Sequence, residues 1–138
     1  MKHTKSNPVW IALLLLVLAS LACNVASPAG PSASNFYMSK DQDGEQRTTV
    51  FAPTDDFYVQ FDVSGIEAGT NFQSRWYALD VEGQDPNTPF QAIDYPYEDN
   101  IGHVYFQLTN ADAWPVGSYK VEVYMNDTKV GEQTFTVQ

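Results

Sequence analysis

One histidine, a few serines and two carboxylate pairs are the residues with which this chain could do chemistry. A serine hydrolase needs a nucleophilic hydroxyl, an imidazole base and an orienting carboxylate in hydrogen-bond order. Apart from His3 the only histidine is His103, and Ser64, Ser74 and Ser118 are the serines that strands could bring near it. None of them sits in the Gly-x-Ser-x-Gly turn that exposes such a nucleophile. The expectation is therefore a polar histidine at the start of a strand, and no enzyme. Asp55-Asp56 and Glu98-Asp99 are the places to look for a metal, because hard cations take clustered carboxylate and carbonyl oxygens. With 17 Asp and Glu in the chain such pairs arise by chance, so neither a metal nor a cofactor is expected. The segment Asp41-Gln42-Asp43-Gly44-Glu45 fails as an EF-hand loop, since its glycine would place Ser39 and Val50 at the first and last ligand positions. It reads as a turn.

Tyrosine is the other chemical signal. Tyr58, Tyr77, Tyr105 and Tyr124 all fall on the polar phase of their segments, and Tyr95 and Tyr97 flank Pro96 in a stretch that reads as a loop. Outward tyrosines give large contact area at low entropic cost and suit binding surfaces. They also serve as cross-strand pairs that hold register, at about 0.2 to 1 kcal/mol each. These six are the candidate binding residues.

The elements that position them read as strands. From Phe36 onward, period-two runs are separated by turn residues, with no helix-length pattern. Phe57, Val59, Phe61 and Val63 share one face, leaving Tyr58, Gln60 and Asp62 on a wet one. Phe72, Ser74, Trp76 and Ala78 alternate after the Ala68-Gly69-Thr70 turn, and Val104, Phe106 and Leu108 do so after Asp99 to Gly102. At the C-terminus Tyr119, Val121, Val123 and Met125 face inward, Asn126-Asp127 makes a tight turn, and Val130 to Val137 returns as the last strand. Asn126-Asp127-Thr128 also fits a glycosylation sequon, but the turn explains it.

The N-terminus is an address. Lys2 and Lys5 precede the apolar run Val9 to Leu21, and Ala22-Cys23 follows at once, which are the parts of a secretory signal. The apolar run is shorter than the roughly 20 residues needed to span a bilayer. Ala19-Ser20-Leu21-Ala22-Cys23 resembles the lipobox of bacterial lipoproteins, although Ser20 stands where Leu is preferred. That resemblance implies cleavage before Cys23 and a lipid on its sulfur. Ordinary cleavage with a free thiol, and an uncleaved anchor, are the alternatives. As the single cysteine, Cys23 forbids an intramolecular disulfide. Residues 1–22 are thus the signal peptide. Cys23 and the Ser, Ala, Pro and Gly-rich stretch to residue 34 form a flexible tether, and 35–138 form one domain. Cleavage removes Lys2 and Lys5 and takes the formal charge from −10 to −12. Such a field repels nucleic acid and attracts cationic partners.

Thr49 to Val59, Ala68-Gly69-Thr70 leading to Trp76, and Trp114-Pro115-Val116-Gly117-Ser118-Tyr119 resemble the immunoglobulin-like sandwich domains of bacterial exported lipoproteins. The resemblance covers Phe36 to Gln138 and implies an all-β, antiparallel immunoglobulin-like β-sandwich of about seven strands. Trp76 would pack between the sheets. Tyr58 and Tyr105 would share one sheet, and Tyr77 and Tyr124 the other. Fold alone names no function. The expected role is a membrane-anchored, cell-surface module that binds a protein or glycan without catalysis, contacting it through edge loops and tyrosines. A structural envelope spacer and a calcium-stabilised adhesion domain are the alternatives.

Overall fold

The computed structural model describes residues 30–138, and the expected signal peptide, Cys23 and most of the expected tether lie outside them. Eight strands follow in order: β1 (Ser32–Ser39), β2 (Val50–Phe51), β3 (Phe57–Ser64), β4 (Asn71–Asp80), β5 (Gln91–Pro96), β6 (His103–Leu108), β7 (Gly117–Met125) and β8 (Thr128–Val137). They form two sheets, β1-β3-β6 and β2-β8-β7-β4-β5. All pairings are antiparallel except the two-residue β2, which runs parallel to the end of β8. The fold is the expected all-β immunoglobulin-like sandwich, with β2 as one strand beyond about seven. β1 begins at Ser32, before the expected start at Asn35, and pairs Ser32 to Ser34 with Ser64 to Asp62.

The inward phases are those the alternation predicts. Phe57, Val59, Phe61, Phe72, Trp76, Val104, Phe106, Tyr119, Val121 and Val123 are buried between the sheets. Phe57 is the hub: its ring stacks on Trp114 at 4.6 Å and meets Phe51 and Phe135 edge-on at 4.9 and 4.7 Å. Asn126 and Asp127 both take positive φ, 44° and 66°, as a two-residue turn between right-twisted strands requires.

The outward phase of β3 departs from expectation. Tyr58 and Gln60 point away from the core, yet Tyr58 is only 8% exposed and Gln60 is fully buried. The β1–β2 loop doubles back over this sheet, held by Lys40 N–H to Gln46 O and Thr48 N–H to Met38 O, and seats Gly44 against Gln60 and Tyr37. Gln60 then satisfies its amide nitrogen with Ser39 Oγ at 2.7 Å and the carbonyls of Asp41 and Gln42. A buried amide without such partners would be strongly destabilising. Asp41 organises the turn itself, its carboxylate accepting from the backbone of Glu45 and Gln46.

Strand direction defines two ends of the sandwich. At one end lie the start of β1, the end of β3 and the start of β6, and Gly30 enters there beside Gly65. At the other end lie the start of β3, the end of β4 and the start of β7. With 10 residues in β4, the ends are roughly 30 Å apart.

Candidate functional site

On the three-stranded sheet, Asp62 and His103 are cross-strand partners. His103 Nδ1 lies 2.8 Å from Asp62 Oδ1, and Nε2 lies 2.7 Å from Gln60 Oε1. The Gln60 amide nitrogen is committed to Ser39 and two carbonyls, so its oxygen must face the ring. Both contacts are hydrogen bonds together only when both ring nitrogens carry protons. Hydrogen bonds from Asn35 and then His103 hold the Asp62 carboxyl below its usual range. This is a chain of acid, imidazole, amide and hydroxyl, in which Gln60 stands between His103 and Ser39, so the hydroxyl is out of reach of the base. None of the three serines considered replaces it. Ser74 is in the core, accepting from Trp76 Nε1 at 2.9 Å. Ser118 lies at the end of the sandwich opposite His103, and Ser64 has no hydrogen bond to the ring among the described contacts.

The carboxylate pairs do not converge. Asp55 and Asp56 precede β3 and Glu98 and Asp99 precede β6, and these strands are antiparallel partners, so the pairs sit at opposite ends. Among the described residues no cluster of three metal-ligating side chains occurs. Asp55 instead binds Lys40 Nζ at 2.8 Å and accepts from the Ala52 N–H, bonds that lower its pKa.

The tyrosines divide between the sheets. Tyr58 and Tyr105 lie on adjacent β3 and β6 with centroids 5.9 Å apart, and burial raises the Tyr58 pKa. Tyr105 is exposed, whereas Tyr58 is not available as a contact. Tyr97 is buried too, its hydroxyl donating to Ile101 O, and Tyr95 belongs to β5 rather than to a loop. With Tyr58 and Tyr97 lost as contacts, Tyr77, Tyr105 and Tyr124 remain, and Tyr95 only in part, since it lies opposite Phe72 and packs against the core.

Tyr77 and Tyr124 face outward on the five-stranded sheet, each beneath a cation: Lys120 Nζ lies 4.5 Å from the Tyr77 ring and the Arg75 guanidinium 3.8 Å from Tyr124. Between them Glu122 accepts from Lys120 at 2.8 Å and from the Tyr124 hydroxyl at 2.5 Å, with Lys129 at 3.5 Å. Burial works against the Glu122 charge, but the hydrogen bonds from Lys120 and Tyr124, and the charges of Lys120 and Lys129, outweigh it. They hold the carboxyl at about 2, below its ordinary 4.5. A folded pKa below the unfolded one gives stability that is present above about 4.5 and lost as pH falls through about 2. After allowance for the solvent around the lysines it is on the order of 2 kcal/mol. Denaturant unfolding at about pH 6 and about pH 3 should therefore show Glu122→Gln losing about 1.5 kcal/mol less than the parent between the two. Equal losses would mean the cluster adds no net stability.

The third surface lies at the end opposite Gly30. A cleft of about 300 Å³ opens there between the β4–β5 and β6–β7 loops, lined chiefly by Val81, Phe90, Trp114 and Tyr119, with the exposed amides of Gln84 and Asn110. Phe90 is 37% exposed and sits 6.3 Å from Trp114 and 6.1 Å from Tyr119, centroid to centroid. Trp114 is fixed by its Nε1–H bond to Asp55 O at 3.0 Å, and Tyr119 by its hydroxyl bond to Pro115 O at 2.6 Å. Of the four large hydrophobic residues most exposed among those described, Val50, Phe90 and Val116 are at this end. Periodicity missed this site because it is built from loops. The signal that could have found it is an aromatic closing the proline-rich 86–90 loop, opposite Trp114-Pro115.

The cleft is at the small end of ligand pockets and fits one ring or side chain rather than a nucleotide-sized cofactor. Neither it nor the Asp62–His103 pair presents a nucleophile next to a base. No protein-family model matches the sequence, and none of the curated proteins matches it. Among solved structures, an immunoglobulin-like protein from Pseudomonas aeruginosa matches with a TM-score of 0.58 and 15% identity, covering 82% of this chain and 100% of that one. An alkylpurine DNA glycosylase from Pseudomonas fluorescens, bound to DNA, has a TM-score of 0.48 and 13% identity over 80% of this chain and 31% of its own. A superoxide reductase from Ignicoccus hospitalis has a TM-score of 0.44 and 13% identity over 80% of this chain and 81% of its own. The fold of residues 30–138 is thus immunoglobulin-like, the architecture also found in the Pseudomonas aeruginosa protein.

Proposed function

We propose that this chain is a cell-surface lipoprotein, anchored through Cys23, whose immunoglobulin-like domain binds a protein or glycan without catalysing a reaction. The observation that carries this reading is polarity: the chain enters the sandwich at one end and the aromatic cleft opens at the other. A domain anchored by its N-terminus would present Phe90, Trp114 and Val116 farthest from the membrane. Exposed apolar groups gathered at one end favour a contact surface over a plain spacer. The calcium-stabilised alternative loses its basis in Asp55, Asp56, Glu98 and Asp99, which cannot share an ion. The test is a photo-crosslinking residue placed at Phe90, or at Glu98 on the opposite end, in protein whose N-terminal mass is measured intact. Adducts at position 90 and not at 98, with an acyl mass on Cys23, are expected. Adducts at neither position would leave a spacer, and an unmodified Cys23 would remove the anchor.

A further inference from the structure

We infer that the cleft at the tether-distal end takes one large apolar side chain from a cationic peptide segment of a protein partner, a reading that rests on the binding role proposed above. Its apolar character and its charge setting point the same way. Phe90 and Trp114 offer ring faces around a space of about 300 Å³, enough for one aromatic or long aliphatic side chain but not for an extended ligand. The Trp114 ring is braced from behind, stacked on Phe57 and bonded to Asp55 O, and the backbone of Phe90 is held by its N–H bond to Trp76 O at 2.9 Å. A braced aromatic slot loses little entropy when filled, which is the character of an interface hot spot.

The loops that wall the cleft carry charge of one sign. Three of the four loops at this end, 52–56, 81–90 and 109–116, contain Asp55, Asp56, Glu82, Asp85 and Asp112 and no Lys, Arg or His, while the fourth, the β1–β2 loop, carries Lys40 and Arg47, the latter lying over the Tyr37 ring. Asp55 is neutralised by Lys40. Glu82, Asp85 and Asp112 are exposed, have no ion pair among the described residues, and lie within two residues of Val81, Gln84, Asn110 or Trp114 in the cleft. An apolar slot set among uncompensated carboxylates is complementary to an apolar side chain flanked by Lys or Arg, and such complementarity speeds and orients encounter. It opposes an anionic ligand. The entry end is also acidic, with Glu67, Glu98, Asp99 and Asp127 in its loops, but the Phe90–Trp114 slot is not there. Charge alone would therefore not choose between the ends; the slot does.

The experiment uses the full chain in detergent micelles and a fluorescent, end-blocked peptide with a central tryptophan flanked by two lysines on each side, read by anisotropy. Binding is expected, weakened at least about 10-fold by Phe90→Ala, a truncation at the slot's exposed edge. The double charge reversal Glu82→Lys with Asp112→Lys should weaken it to a similar degree. Glu98→Lys with Asp99→Lys, an equal charge change at the opposite end, should leave it within about 2-fold, and raising salt from about 50 to about 300 mM should weaken it several-fold. A peptide with serine at its centre should not bind. Equal loss from the two charge reversals, or no loss from Phe90→Ala, would overturn the inference, because attachment would then be diffuse attraction to an acidic protein. Phe90-dependent binding of a neutral oligosaccharide but not the peptide would also overturn it, while leaving the broader binding role in place. If nothing binds and crosslinks at position 90 are absent, both readings fail.

Discussion

Replacing Trp76 by alanine is expected to cost about 3 to 5 kcal/mol, a large part of the stability of a domain this size. Trp76 is fully buried, with Phe57 stacked at 6.4 Å and Phe135 edge-on at 6.1 Å. It sits on β4, between β7 and β5, so the strands that would have to move to fill the gap are tied on both sides. Truncation would leave a void in a region that relaxes poorly. It would also strand a polar atom, since the Ser74 hydroxyl would lose its Trp76 donor inside the core. Urea unfolding of Trp76→Ala should show a midpoint drop without a change in slope where the variant still folds. Trp76→Phe keeps the ring volume in part but not the indole N–H, so it should lose less, about 1 to 3 kcal/mol, and separates packing from the Ser74 bond. A loss below about 1 kcal/mol for Trp76→Ala would show that the space between the sheets is not organised around this residue.

The inward phase was legible in the sequence because alternation is a property of each strand alone. Phe57 to Val63, Phe72 to Ala78 and Tyr119 to Val123 needed no knowledge of their neighbours. The outward phase was less legible, because its burial depends on which loop crosses it. Nothing local to Gln60 announces that Asp41 and Gln42 will fold over it, and alternation alone puts the mid-strand amide on the wet face. The end of the sandwich to which a loop belongs is a matter of parity. Glu98 and Asp99 lie three strands after Asp55 and Asp56, an odd number of reversals, which puts them at the far end. That count fails when β5 is read as a loop, as the Tyr95-Pro96-Tyr97 sequence invites. The proline is tolerated because it stands last in an edge strand, paired only with β4. The aromatic cleft escaped for a related reason: its walls come from loops that carry no period.

Gly117→Ala is the substitution whose effect is least visible in the sequence and second in expected size, at about 3 to 4 kcal/mol. Gly117 opens β7 with φ at 152°, a conformation that side chains rarely adopt. A Cβ there would collide with the Asp80 carbonyl oxygen and stand 2.8 Å from Val81 Cγ2. The carbonyl belongs to the backbone at the end of β4, where the β4–β7 register shifts between Ala78 and Asp80, so relief requires the two strands to part. Gly83 separates the two causes. It has φ at 78° with nothing within 4 Å of an added Cβ, so Gly83→Ala should lose only the backbone term, about 1 kcal/mol. Thermal or urea unfolding of both variants gives the contrast directly, and equal losses would show that the close approach of Gly117 to Asp80 does not matter. The strain would also reach the cleft, because Val81 and Tyr119 lie on either side of the collision. A Gly117→Ala protein that still folds should therefore bind the lysine-flanked peptide less well than the parent, whereas Gly83→Ala should not.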